Sequence, residues 1–311
     1  MKCELIPRLK IWSDRQRELS TLRIHIDILT ICKNKCPYCY SRADTHNWGK
    51  FMSKDYINDT LLPNLKALAL HQAKQGKFLD VVLLGGEPTL HPMLNDMISF
   101  ILSLPNTRMS ITTNGSNGYN NAKSNKNLRW GVTFHPSQVK DVDVWLKNVI
   151  ERKDDFWEVT VHPFSDCWGD DELLKKYSSM NKHVIDVCLR ENIKIQPVFQ
   201  YDPRTNIRDH RVDLDKLRTF YPYLNDLEAF YVYDDKEIND YQMVENNLNF
   251  FEGWDCINNS VTIDVTGEIQ QCCSYKVLSW DDLYTYDASN FKCPLPICTC
   301  IGFLSLYKSK E

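Results

Sequence analysis

Cys32-Lys33-Asn34-Lys35-Cys36-Pro37-Tyr38-Cys39-Tyr40 places three cysteines within eight residues, directly after the apolar run Leu22 to Ile31. Three thiolates are thereby carried on one short loop. Soft thiolate ligands select zinc, copper(I) or iron–sulfur clusters, and a loop this tight can wrap three corners of a cubane while leaving the fourth metal position without a protein ligand. That open position is a place for a substrate. Upstream, residues 21–28 alternate with period two and are rich in Ile, which predicts a strand with the cysteine loop at its C-terminal end. Downstream, Ser53 is a good N-cap for a helix that runs to about Gln75 and stops at Gly76, with Pro63 expected to break or kink it.

A second motif, Gly85-Gly86-Glu87-Pro88, ends the apolar run 78–84. A strand ending in Gly-Gly exposes backbone for close approach by a ligand, with Glu87 beside it to meet a cation. On its own this is a strand-to-loop turn; downstream of the cysteine loop it means more. The spacing Cys-x3-Cys-x2-Cys, with an aromatic residue before the third cysteine and Gly-Gly-Glu following in the same order, resembles the signature of the radical S-adenosylmethionine (SAM) enzymes. The resemblance implies that Cys32, Cys36 and Cys39 ligate a [4Fe–4S] cluster whose open iron chelates SAM. It implies that Gly85, Gly86 and Glu87 bind the methionine amino group, and that Tyr38 shields the cluster and offers backbone near adenine. It also implies the chemistry: one electron cleaves the sulfonium C–S bond, and the 5′-deoxyadenosyl radical takes a hydrogen atom from a substrate. A flavodoxin- or ferredoxin-type donor would supply that electron.

The strand–helix pattern repeats along the chain. Strands are expected at 78–84, 108–113, 128–134, 156–161 and 193–199, with helices over about 92–104, 139–152 and 171–191 and a loop or single turn at 116–127. Six strands alternating with helices argue an α/β fold with a parallel sheet closed or nearly closed as a barrel, ligands lying at the C-terminal strand ends. The family resemblance implies a partial (β/α)6 TIM-like barrel, in agreement. Thr113, Asn114, His135, His162 and Gln196 lie on or just after strands three to six, and Asn114 and His135 are the preferred cofactor-binding candidates among them. Each also has a plain alternative as a strand-end hydrogen bond or core residue.

Residues 1–20 form a polar lead-in, 21–200 the barrel, 201–252 a connecting or wrapping segment with a helix near 213–221, and 253–311 a small cysteine-rich C-terminal extension. Six cysteines fall in the last part: Cys256, Cys272, Cys273, Cys293, Cys298 and Cys300. Residues 261–270 read as a hairpin turning near Thr266-Gly267, which brings distant thiolates together for a second, fully protein-ligated cluster or a structural zinc. The spacing Cys256-x10-Gly267-x4-Cys272 resembles the start of SPASM and twitch extensions, although Cys293-x4-Cys298-x-Cys300 departs from a full SPASM pattern. One auxiliary [4Fe–4S] cluster is expected, on Cys256, Cys272, Cys298 and Cys300, with Cys293 and Cys273 as replacements.

A chain of 311 residues with 43% hydrophobic and 25% charged residues is an ordinary globular composition. Its net charge of −4 predicts no general affinity for nucleic acid or anionic membrane. No signal-peptide core or membrane span is read in it, so a cytoplasmic location is expected, where clustered cysteines mean metal or catalysis more often than disulfides. The reading is a radical SAM enzyme acting on a small-molecule, nucleotide or peptide substrate. Its rival is a structural zinc or iron–sulfur electron-transfer protein without SAM chemistry, and neither Gly-Gly-Glu nor a barrel is needed for that.

Overall fold

The structure, a computed structural model, describes residues 2–5, 22–36, 39, 49–115, 127–154, 156–163, 170–198, 213–227, 231–248, 250–256, 258–271, 276–287, 291–294 and 308–309. Strand β1 (Lys2–Leu5) is followed by the first barrel strand, β2 (Leu22–Asp27). Beyond the cysteine loop, Ser53 Oγ accepts the amide of Tyr56 at 3.1 Å and opens a helix whose first turn is Lys54–Tyr56. It then widens into a π-helical segment, Ile57–Leu61, before continuing as α1 (Leu62–Lys74). The cause is Pro63, which has no N–H and whose ring would collide with the preceding turn; widening accommodates it without ending the helix. Then come β3 (Leu79–Leu84), α2 (Leu94–Leu102), β4 (Thr107–Thr113), β5 (Leu128–Phe134), α3 (Val142–Ile150), β6 (Phe156–Val161), α4 (Asp171–Arg190) and β7 (Ile195–Pro197). The side chains of Asp141 and Asp170 cap α3 and α4 by accepting from Val144 and Leu173, each at 3.0 Å.

After α5 (Leu214–Phe220) a tight hairpin, β8 (Tyr231–Tyr233) and β9 (Lys236–Ile238), precedes α6 (Asp240–Glu245). The remainder is β10 (Asp255–Cys256), β11 (Ser260–Ile263), β12 (Ile269–Gln271), β13 (Val277–Leu278), β14 (Phe291–Lys292) and β15 (Lys308–Ser309). The strands form two sheets. One runs β13-β12-β11-β2-β3-β4-β5-β6-β7, the other β14-β10-β15-β1-β8-β9. β2 through β7 are all parallel and in sequential order, the arrangement of a partial TIM-like barrel. The expected hairpin is present as β11 and β12, but β11 also pairs in parallel with β2, Ile263 beside Ile26, so the C-terminal hairpin extends the barrel sheet itself. The lead-in strand β1 lies between β8 and β15, joining the two ends of the chain in the second sheet.

Side-chain alternation divides the barrel sheet into two faces. Ile24, Ile26, Val81, Leu83, Met109, Ile111, Trp130, Val132, Phe134, Val159 and Val161 are buried against the helices in the hydrophobic core. Each such side chain contributes roughly 1.5–3 kcal/mol of transfer free energy. The opposite face is polar and lines the barrel interior. Toward the N-terminal strand ends Asp80 stands between Arg23 (3.7 Å) and Arg108 (3.8 Å), all three buried, with the Arg108 guanidinium 4.1 Å over the ring of Phe78. Three neighbouring strands therefore close the floor with charge, and the C-terminal end is left for chemistry.

Candidate active site at the C-terminal end of the barrel

The Gly-Gly-Glu turn leaves β3 and runs directly against the entry to the cysteine loop. Gly86 N–H donates to Leu29 O and Glu87 N–H to Ile31 O, both at 2.8 Å. A Cβ on Gly85 would stand 2.2 Å from Leu29 O, and one on Gly86 would stand 2.1 Å from Ile31 O. Gly85 also has φ +122°, which side-chain-bearing residues rarely adopt. The close approach that both glycines permit is therefore to the chain's own cysteine loop.

Glu87 is fully buried, and its carboxylate is a junction instead of an open charge. One oxygen accepts from Thr89 N (3.1 Å), Thr89 Oγ1 (2.6 Å) and Thr113 Oγ1 (2.7 Å); the other accepts from Asn114 N at 2.8 Å. Asn114 in turn donates its side-chain amide to Cys32 Sγ at 3.4 Å. The ends of β3 and β4 and the cysteine loop thus share one hydrogen-bonded unit. Thr89 and Thr113 complete it; Thr113 was a strand-end candidate in the sequence, whereas the part of Thr89 was not apparent there.

The loop thiols are graded in exposure: Cys36 is buried, while Cys32 and Cys39 are partly so. Cys39 N–H donates to Cys36 O at 3.0 Å, closing the turn between them. Burial raises the Cys32 thiol above its ordinary value, and Glu87 and Cys39 raise it further. A thiolate there needs a cation beside it, which a bound iron would provide. Among the described residues no three His, Cys, Asp or Glu close to the distances around a single metal ion. A cubane, which takes each thiolate on its own iron, suits three cysteines spread along a loop better than one tetrahedral zinc does.

His135 and His162, just after β5 and β6, stack with ring centroids 5.4 Å apart. Burial holds both neutral, His135 lowered to about 3 with His162 adding to the effect, and His162 lowered to about 4. His162 Nδ1–H donates to Val198 O at 3.1 Å, since a carbonyl can only accept. Gln196 faces inward: with its nitrogen turned to Glu158 it donates to both carboxylate oxygens, at 3.1 and 3.2 Å. Asp27, at the C-terminal end of β2, is raised to about 6 by burial and then by Asp264, just after the neighbouring strand β11. Alternation alone places Asp27 on the lumen face, so the sequence held that signal.

Gln138 was not anticipated either. Its side chain brackets the middle of the cysteine loop, accepting Lys35 N–H at 3.0 Å and donating to Lys35 O at 3.4 Å. In the C-terminal part, Cys256 on β10 and Cys293, just after β14, are buried, and Cys293 N–H donates to Trp254 O at 2.9 Å. Among the described residues, the replacement candidate Cys293 thus follows the strand that pairs with β10, bonded to Trp254 two residues before Cys256. Tyr38, Cys272, Cys273, Cys298 and Cys300 lie outside the described residues. No helix among the described residues is long and apolar enough to cross a membrane.

Residues 26–159 match the family model of the Radical SAM superfamily. Among solved structures, the chain is similar to native anSMEcpe with bound AdoMet at 13% identity and a TM-score of 0.51, the match covering 86% of this chain and 78% of that one. It is also similar to BtrN in complex with AdoMet and 2-DOIA at 12% identity and a TM-score of 0.36, covering 86% and 83%. The first of these shows a shared fold. No curated protein matches.

Proposed function

We propose that this protein, whose residues 26–159 match the Radical SAM superfamily model, is an enzyme that binds SAM at a [4Fe–4S] cluster on Cys32, Cys36 and Cys39 and takes a hydrogen atom from its substrate. The observation that carries the reading is the shared unit of Gly85-Gly86-Glu87, Asn114 and the cysteine loop, with Asn114 donating to a thiol that the loop presents. When bound, the cluster supplies the electron that cleaves the sulfonium bond of SAM. The chain's own residues hold and orient. Glu87 fixes the Asn114 backbone, and the Gly85–Glu87 segment offers its carbonyls to the methionine amino group. Tyr38 shields the cluster and offers its backbone near adenine. His135 and His162, neutral at physiological pH, accept or donate hydrogen bonds to SAM or substrate without adding charge to the mouth.

In this reading residues 21–200 are the catalytic barrel, and 253–311 is a SPASM- or twitch-like extension holding one auxiliary [4Fe–4S] cluster. Cys256, Cys272, Cys298 and Cys300 are its ligands, with Cys293 or Cys273 as replacements; the pairing of β14 with β10, just before Cys293, supports Cys293. The substrate is a small molecule, a nucleotide or a peptide. The test is a comparison of the wild type with Cys36→Ala after anaerobic reconstitution. The variant is expected to lose about four irons and all 5′-deoxyadenosine release. A variant that still cleaves SAM would overturn the assignment of the loop.

A further inference from the structure

Two groups that carry or develop negative charge lie close together where β4 meets the cysteine loop: the buried Glu87 carboxylate and the Cys32 sulfur. One residue donates to both. Asn114 gives its backbone N–H to Glu87 at 2.8 Å and its side-chain amide to Cys32 Sγ at 3.4 Å. It is 7% exposed, so both bonds are made largely out of water, where an aligned dipole counts for more. The backbone on either side of it is pinned. Thr113 Oγ1 donates to Glu87 at 2.7 Å and accepts Gly115 N–H at 3.2 Å, and Gly115, at φ +72°, turns the chain directly behind Asn114. Cys32 Sγ also accepts the N–H of Asn34 from its own loop. Of these two donors, Asn114 is the one that comes from the barrel sheet and does not move with the loop.

We propose that Asn114 is a positioning residue that sets the reduction potential of the cluster, by donating its side-chain amide to the sulfur of one cluster ligand, Cys32. The inference rests on the reading of Cys32, Cys36 and Cys39 as cluster ligands, and it gives the Asn114 side chain to the cluster instead of to SAM. On reduction one electron enters from the reductant, which is oxidised by one, and no atom or proton moves. The added negative charge spreads onto the sulfurs, so a hydrogen bond to a sulfur favours the reduced form and raises the potential. The Glu87 charge works the other way, since it disfavours a thiolate at Cys32. Asn114 offsets that charge at both ends, with its backbone N–H on the carboxylate and its amide on the sulfur.

The test is an anaerobic redox titration of the reconstituted protein without SAM, followed by the EPR signal of the reduced cluster. Asn114→Leu nearly keeps the volume and removes the donor. It is expected to retain its iron and to shift the reduction equilibrium about tenfold toward the oxidised form, which for one electron is about 59 mV to lower potential. Gln138→Ala, which releases the Lys35 backbone without touching a sulfur, is expected to leave the potential in place. A second measurement needs only the wild type. With asparagine labelled by nitrogen-15 in its side-chain amide, pulsed EPR of the reduced protein should show that nitrogen coupled to the cluster. An unchanged potential in Asn114→Leu, an equal shift in Gln138→Ala, or no such coupling would each overturn the role of Asn114 and leave the cluster reading standing. A wild type with no reducible cluster would overturn both the role and the functional reading beneath it.

Discussion

Gly86→Ala isolates the contact on which the site depends. The added methyl would stand 2.1 Å from Ile31 O, 2.5 Å from Ile31 C and 2.9 Å from Ile31 N, all backbone atoms with no rotamer to turn away. Restoring ordinary contact requires the loop entry to retreat by roughly 1 Å. The hydrogen bonds from Gly86 N–H and Glu87 N–H, both 2.8 Å, would then stretch beyond useful length. Each buried group left unsatisfied costs about 1–3 kcal/mol, so a loss of roughly 2–6 kcal/mol is expected. Because the strain falls on the cysteine loop, iron loading should fall along with urea-unfolding stability. Gly131→Ala is the control, since its Cβ would meet only Thr112 Oγ1, at 3.9 Å. A Gly86→Ala protein with wild-type stability and iron content would refute the packing argument.

Asp80→Asn leaves the buried Arg23 and Arg108 without their shared counter-charge, and a loss of about 3–5 kcal/mol in urea unfolding is expected; an effect under about 1 kcal/mol would show the floor is not held by that charge. Acid should destabilise the fold, because His25, lowered to about 3 by burial and Arg23, joins His135 and His162 as imidazoles that are neutral when folded but protonate near 6.5 when unfolded. Their stabilisation is present above that value and is lost as pH falls, by about 2 kcal/mol per histidine at pH 5; a flat profile from pH 7.5 to 5 would contradict the burial of these groups. Asp27 acts with the opposite sign. Its folded value of about 6 favours the folded state below the unfolded value and loses that advantage as pH rises through 6, so Asp27→Asn should stabilise by up to about 3 kcal/mol at pH 7.5 and by little near pH 4. A stabilisation independent of pH would point to packing instead.

Barrel strands β2 to β6 were legible because each is long enough to show its alternation or apolar run and ends in a motif: the cysteines after β2, Gly-Gly-Glu after β3, Asn-Gly after β4, His-Pro after β5 and β6; β7, expected over 193–199, pairs only over Ile195–Pro197. The hairpin β8–β9 was not, because strands of three residues have no period to read. Its turn, with Asp234 and Asp235 at φ 44° and 67°, uses the tolerance of Asp for the left-handed region without a glycine to announce it. The parallel pairing of β11 with β2 joins segments far apart in sequence, and nothing local encodes it. At the site, residue types pointed to the cysteines and to Glu87, but not to the way Glu87 works. An acid beside two glycines suggested an open charge, whereas threonine hydroxyls from its own turn and from β4 fill its oxygens. Gln138 escaped notice because its partner, Lys35, is 103 positions away.

The most direct test of the central claim is the nucleoside product of anaerobically reconstituted protein given SAM and a strong reductant, read beside its iron and sulfide content. The account predicts 5′-deoxyadenosine release with about eight irons, four at Cys32, Cys36 and Cys39 and four at the C-terminal cysteines. Zinc bound throughout, with no nucleoside released, would contradict it and leave a structural metal protein in its place.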